Sequence, residues 1–202
     1  MTNPATGYEA CCEAAVRAGV RMVQLRMKER DTPRGQLLDM ARRLVAITRG
    51  TGTNLIIDDD ASVAAESGAD GVHVGQDDMP VAEVRRLYPG IRIVGLSTHN
   101  LEQAKASVAQ NPDYIGVGPV FATPTKKIPD PVLGTETAGK MIASVPFPAV
   151  AIGGIDAERL PSVIKAGAKN WSVVRAVCGS DDPYSAILRL QAIAREAAEK
   201  GS

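Results

Sequence analysis

Short apolar runs recur along the whole chain, at Met22–Leu25, Leu55–Ile57, Gly71–Val74, Ile91–Leu96, Tyr114–Val117, Ala149–Ile152 and Ser172–Val174. They are β-branched and nearly continuous in apolar character, the pattern of strands covered on both faces. Between them lie segments that read as helices: Arg34–Ile47, Ala61–Glu66, Val81–Leu87, Leu101–Ala109, Glu136–Ala143, Ala157–Lys165 and Pro183–Glu199. A further helix at Tyr8–Arg17 precedes the first run. Strict βα alternation predicts a parallel sheet with right-handed crossovers. Two closures satisfy it, an open doubly wound sheet and a TIM (β/α)8 barrel.

Three turns favour the barrel. Ala18-Gly19-Val20, Ser67-Gly68-Ala69-Asp70-Gly71 and Ala166-Gly167-Ala168 share one form, a helix end capped by glycine that leads at once into a strand. Uniform turns fit a symmetric barrel. No G-x-G-x-x-G follows the first strand, which counts against a dinucleotide fold. No linker, low-complexity tract or charge block divides the chain, so residues 1–202 read as one domain. The segment Met1–Gly7 is polar and does not read as a strand.

Composition narrows the function. Lys+Arg and Asp+Glu both number 23, for zero formal net charge, and nothing suggests a nucleic-acid or membrane partner. Aromatics are only 3 % of the chain, so its core must be aliphatic. Cys11, Cys12 and Cys178 show neither metal-ligand spacing nor an even-numbered disulfide pattern. With no secretory signal and no membrane-spanning apolar stretch, a cytoplasmic protein is expected.

Chemistry in a barrel sits at the C-terminal ends of its strands. Those ends carry Gln24-Leu25-Arg26-Met27-Lys28, Asp58-Asp59-Asp60, His73-Val74-Gly75-Gln76-Asp77-Asp78, Ser97-Thr98-His99, Gly153-Gly154 and Val174-Arg175. The run Gly116–Lys127 adds Thr123, Thr125, Lys126 and Lys127 after another strand, hydroxyls and ammonium groups suited to an anion such as a phosphate ester. Arg26 and Lys28 alternate along the chain and share one side, a diphosphate clamp or a surface pairing with Glu29 or Asp31. Five carboxylates from two successive strand ends repel unless a cation neutralises them. Mg²⁺ accepts one or two of them beside phosphates and waters, while others are candidate helix caps, Asp60 before Ala61–Glu66 and Asp78 two residues before Val81–Leu87. Gly153-Gly154 lets backbone approach a ligand or makes a tight turn. Two anion sites emerge: Arg26, Lys28, Asp59, Asp78 and Lys126 at one, Thr123, Thr125, Gly154 and Arg175 at the other. Neither His73 nor His99 has a metal-ligand neighbour, and His99 reads as a loop or capping residue.

At these residues the chain resembles the thiamine-phosphate synthases. The matching pieces are Val23–Lys28, Leu55–Asp60, Ala69–Asp78, Gly95–Asn100, Tyr114–Lys127, Val150–Ile155 and Ser172–Val177, in order and at family-like intervals. The resemblance implies a (β/α)8 transferase of thiamine biosynthesis that joins 4-amino-2-methyl-5-hydroxymethylpyrimidine diphosphate to a thiazole phosphate, with Mg²⁺ as cofactor. It implies that Gln24, Arg26, Lys28, Ser97 and Lys126 hold the diphosphate substrate, and that Arg26, Lys28 and Lys126 are catalytic in neutralising the leaving group. Asp59 and Asp78 are the implied metal ligands. Thr123, Thr125, Gly154 and the Val174-Arg175 backbone are the implied thiazole-phosphate site. Three departures stand out: Asp58 occupies a substrate-binding position where the family has Asn, Arg175 stands where Ser is common, and the first strand is missing. The expected partners are small molecules, with self-association into a homo-oligomer left open. The competing readings are a thiazole tautomerase of the related family and a non-catalytic phosphate-ligand binding protein.

Overall fold

The computed structural model describes residues 1–27, 32–123 and 130–200. They group into two compact units, Met1–Val94 with Val177–Leu188 and Gly95–Ala176 with Arg189–Ser202. In the first unit β1 (Met22–Leu25), β2 (Asn54–Asp58) and β3 (Gly71–Val74) pair in parallel, with Leu25 opposite Ile57 and Asp58 opposite His73. Helices α1 (Tyr8–Arg17), α2 (Arg34–Thr48), α3 (Ala61–Ser67) and α4 (Val81–Leu87) alternate with them. Leu55, Ile56 and Ile57 are fully buried in succession, as a strand covered on both faces requires.

The second unit pairs the Gly95–Thr98 part of β4 (Ile93–Thr98), β5 (Tyr114–Val117), β6 (Ala149–Ala151) and β7 (Asn170–Trp171) in parallel. Its helices include α5 (Leu101–Gln110), α6 (Gly134–Ala143) and α7 (Leu160–Lys165). A short α8 (Arg175–Cys178) and a long α9 (Pro183–Glu199) follow β7. All four residues of β5 are buried. Burying each Leu, Ile or Val in these strands contributes roughly 1.5–3 kcal/mol relative to exposure, which a mainly aliphatic core accumulates with Tyr114 among its buried residues.

Several expected elements shift; the strand expected at Ile91–Leu96 is Ile93–Thr98. The last strand was expected at Ser172–Val174 but is Asn170–Trp171, opposite Val150 and Ala151. The ladder closes with Ser172 N–H on the Ala151 carbonyl (2.8 Å), and the chain then turns into α8. Helix α7 begins at Leu160 rather than Ala157, because the Asp156 carboxylate takes the N–H groups of Glu158 (3.1 Å) and Arg159 (2.9 Å) in an Asx turn.

No strand precedes α1 among the described residues. The edge of β1 is nonetheless partly occupied. Arg26 N–H donates to the Met1 carbonyl (3.0 Å), and the Met1 nitrogen bonds the Gln24 carbonyl. Cys11, Cys12 and Cys178 are buried free thiols. No helix among the described residues is long and apolar enough to cross a membrane.

Candidate active site

In the first unit the β1–β2 register sets Arg26 and Asp58 side by side, just beyond Leu25 and Ile57. Arg26 Nε lies 3.2 Å from Asp58 Oδ2, with both side chains largely enclosed. The next residue, Asp59, has φ +61°, a left-handed conformation uncommon outside glycine although Asp tolerates it better than most. Its N–H donates to the His73 carbonyl (2.8 Å), which ties the end of β2 to β3. Asp60 is the α3 N-cap as expected, accepting from Val63 N–H (2.9 Å) and Ser62 Oγ (2.7 Å). The three consecutive carboxylates therefore divide between an ion pair, a strained strand end and a cap.

Asp78 closes the turn after β3, its Oδ2 accepting from Gly75 N–H (2.7 Å). A Cβ at position 75 would stand 2.9 Å from that oxygen, so glycine there lets the carboxylate fold back. Among the described residues no group of three or more His, Cys, Asp and Glu side chains could hold a metal. Asp59, at the end of β2, and Asp78, after β3, each offer hard carboxylate oxygens of the kind that Mg²⁺ accepts beside substrate oxygens and water. Lys28 lies outside the described residues.

In the second unit Ser97 is on β4 opposite Gly116, and the buried Thr98 hydroxyl donates to the Gly116 carbonyl (2.8 Å). Beyond β5 the chain runs alongside the end of β6: Val120 N–H donates to Ile152 O (2.9 Å) and Phe121 N–H to Gly153 O (3.0 Å). Gly153 and Gly154, at φ +102° and +63°, fit this neighbour. A Cβ on Gly153 would meet Pro119 at 2.5 Å, and one on Gly154 would meet the Ala122 carbonyl at 2.7 Å. Their glycine requirement thus arises from the chain itself, which brings Thr123's own segment against Gly154. Thr125 and Lys126 lie outside the described residues.

Arg159, absent from the sequence expectations, donates to the Gly154 carbonyl (2.9 Å) and stacks over the Phe121 ring with its guanidinium carbon 5.3 Å from the centroid. Its only sequence signal is the Asp156-to-Arg159 spacing on the approach to α7, where the two side chains lie 3.5 Å apart. Val174 is half-buried and no longer a strand end, and Arg175 is an exposed first residue of α8.

A polar cavity of about 390 Å³ lies elsewhere in the first unit, lined by Thr53, Asn54, Asp70 and Arg92 among others. It sits where β2 begins, the opposite end of that strand from Asp58. Arg92 is ion-paired to Asp70, whose other oxygen accepts Leu55 N–H (2.8 Å). These polar groups join loops.

The sequence matches the family described as Thiamine monophosphate synthase over residues 2–177. The chain belongs to this family. A thiamine-phosphate synthase of Anaeromyxobacter dehalogenans is 41 % identical over 183 residues, 91 % of this chain and 81 % of the relative. One of Chloroflexus aurantiacus is 42 % identical over 193 residues, 96 % of this chain and 88 % of the relative. Among solved structures, a thiamine phosphate pyrophosphorylase of Pyrococcus furiosus is similar with a TM-score of 0.85 and 31 % identity, covering 95 % of this chain and 91 % of that one. The α/β, TIM-type class expected from the strand–helix rhythm therefore holds for this member of the thiamine monophosphate synthase family, with seven strands among the described residues.

Proposed function

We propose that this protein is a thiamine-phosphate synthase that condenses 4-amino-2-methyl-5-hydroxymethylpyrimidine diphosphate with a thiazole phosphate, releasing thiamine phosphate and diphosphate. The observation that carries this reading is the family match across residues 2–177, which includes the acidic and cationic strand ends of β1 and β2. In this reading Gln24, Arg26, Lys28, Ser97 and Lys126 bind the pyrimidine diphosphate. Asp59 and Asp78 would hold Mg²⁺, which supplies positive charge to the departing diphosphate. Thr123, Thr125, Gly154 and the Val174-Arg175 backbone bind the thiazole phosphate.

The aminopyrimidine ring can carry positive charge at its exocyclic methylene, so the carbon–oxygen bond to diphosphate breaks first. Arg26, Lys28 and Lys126 neutralise the charge that gathers on the leaving oxygens. The thiazole nitrogen then forms the new carbon–nitrogen bond. No side chain is needed as a nucleophile, in keeping with strand ends rich in cations and acids. The remaining parts of the proposal are one domain over 1–202 and a cytoplasmic setting, the latter in keeping with three buried free thiols.

The test is direct. Purified protein is mixed with both substrates and Mg²⁺, and thiamine phosphate and diphosphate are measured. Equal amounts of the two products are expected. Binding of the thiazole phosphate without any product would overturn the transferase reading.

A further inference from the structure

We propose that His99 is a positioning residue for the acceptor-phosphate side of the reaction, holding the Gly118 carbonyl through Nδ1 with Asp130 against the same nitrogen. The inference rests on reading the Thr123 segment as the thiazole-phosphate site.

The geometry begins with a fixed backbone. Asn100 caps α5 by accepting Gln103 N–H (2.8 Å), and the Gln103 side chain reaches back to accept His99 N–H (2.7 Å). This is a capping box displaced by one residue, and it sets where the imidazole starts. The ring is half-buried, with Nδ1 2.7 Å from the Gly118 carbonyl and 3.6 Å from Asp130 Oδ2. A carbonyl only accepts, so Nδ1 must carry the proton, and the neutral ring leaves Nε2 bare.

Gly118 is thereby held on both sides of its residue. Its N–H donates to the Thr98 carbonyl (3.2 Å), and its carbonyl accepts from His99. From there the chain runs along Ile152 and Gly153 to Thr123. Leu133 N–H on Pro119 O (2.9 Å) and Gly134 N–H on Val120 O (3.1 Å) hold residues 133–134 beside 119–120. One imidazole thus contacts Gly118, just before this pairing on one side, and Asp130, just before it on the other. A purely structural role would be felt as lower stability and a general loss of binding. A positioning role is selective for the ligand that Thr123 meets.

The experiment uses His99→Ala, His99→Asn and His99→Gln. An Asn amide N–H can stand where Nδ1 stood, whereas Gln places its amide near the position of Nε2. Affinities for thiazole phosphate and for the pyrimidine diphosphate are measured separately by calorimetry, together with melting temperature. Long-range ¹H–¹⁵N spectra of the wild type read the imidazole tautomer.

The expected result is about a tenfold loss of thiazole-phosphate affinity in His99→Ala, the effect of one hydrogen bond, with pyrimidine-diphosphate affinity within about twofold. His99→Asn should recover to within about threefold of wild type, and His99→Gln should behave like His99→Ala. The neutral ring should show its proton on Nδ1. A proton on Nε2, an Asn variant as weak as Ala, or equal losses for both ligands with a falling melting temperature would each overturn the assignment. Wild-type turnover with His99→Ala retaining full affinity would overturn the role of His99 alone. A wild type that binds neither ligand would overturn the proposed function and the phosphate role with it, while the tautomer still decides the Gly118 contact.

Discussion

Arg26 and Asp58 form an ion pair across neighbouring strand ends, Nε to Oδ2 at 3.2 Å, with 18 % and 11 % of their side chains exposed. The cation proposed to meet the diphosphate is thus already matched by a carboxylate at the position where the resemblance calls for Asn. An anionic substrate must compete with Asp58 for Arg26 and lie near its charge. An Asn amide would instead leave the guanidinium to the substrate and add a donor. Asp58→Asn should therefore raise kcat/KM for the pyrimidine diphosphate by about three- to tenfold at low Mg²⁺, a change of roughly 0.7–1.4 kcal/mol, and by less when Mg²⁺ is abundant. The check is a Mg²⁺ titration of both proteins. Lower activity of the variant at every concentration would make Asp58 a working part of the site.

Asp59 provides a second test because its backbone and its carboxylate make opposite demands. At φ +61° glycine is the more comfortable residue, and relief of the strain is worth on the order of 1 kcal/mol. Asp59→Gly should melt at the same temperature or higher, yet lose nearly all turnover if the carboxylate holds Mg²⁺. Asp59→Asn keeps much of the left-handed tolerance and should raise the Mg²⁺ concentration needed for half-maximal rate. A glycine variant with wild-type turnover at limiting Mg²⁺ would remove Asp59 from the proposed metal site.

The parts of this protein that could be read from its sequence are those fixed by local pattern. Met22–Leu25, Gly71–Val74 and Tyr114–Val117 occupy the expected bounds, because a short, mainly apolar run between helix-like segments has few other uses. Asp60 acts as a cap because its partner, Val63 N–H, is three residues away. The Arg26–Asp58 pair was hidden, since it depends on the register between two strands. The last strand departs from its expected bounds for the same reason. Ser172-Val173-Val174 has strand-like composition, but pairing is set by β6, which is three residues long and is followed by Ile152 and then Gly153. Gly153 and Gly154 stand out in the sequence, but the Pro119–Ala122 backbone that demands them is out of reach of a local pattern.

The corrected position of Arg175 changes what it should do. As an exposed first residue of α8, it can add positive potential but gains little from a low-dielectric setting. Arg175→Ser should weaken thiazole-phosphate binding by no more than about threefold, a loss that fades as salt rises, and should shift stability by less than about 0.5 kcal/mol. Binding titrations at low and high ionic strength check this. A large, salt-independent loss would mean a direct, enclosed contact.

Arg159 should matter more than Arg175 although no sequence pattern singled it out. It holds the Gly154 carbonyl at 2.9 Å and covers the Phe121 ring, so it fixes both sides of the close approach between residues 121–122 and 154. Arg159→Met keeps much of the apolar stem but removes the donor and the charge. Arg159→Lys keeps the charge but loses the planar fork. Thiazole-phosphate KM should rise about tenfold in Met and by an intermediate amount in Lys, with the pyrimidine-diphosphate KM nearly unchanged. Gly154→Ala provides the comparison, because its Cβ meets backbone at 2.7 Å and the strain reaches the same place from the other side. That variant should lose more than about 2 kcal/mol of stability together with thiazole-phosphate binding. If Gly154→Ala destabilises the fold while Arg159→Met leaves both KM values at wild type, the Gly154 contact is structural and Arg159 has no part in the site.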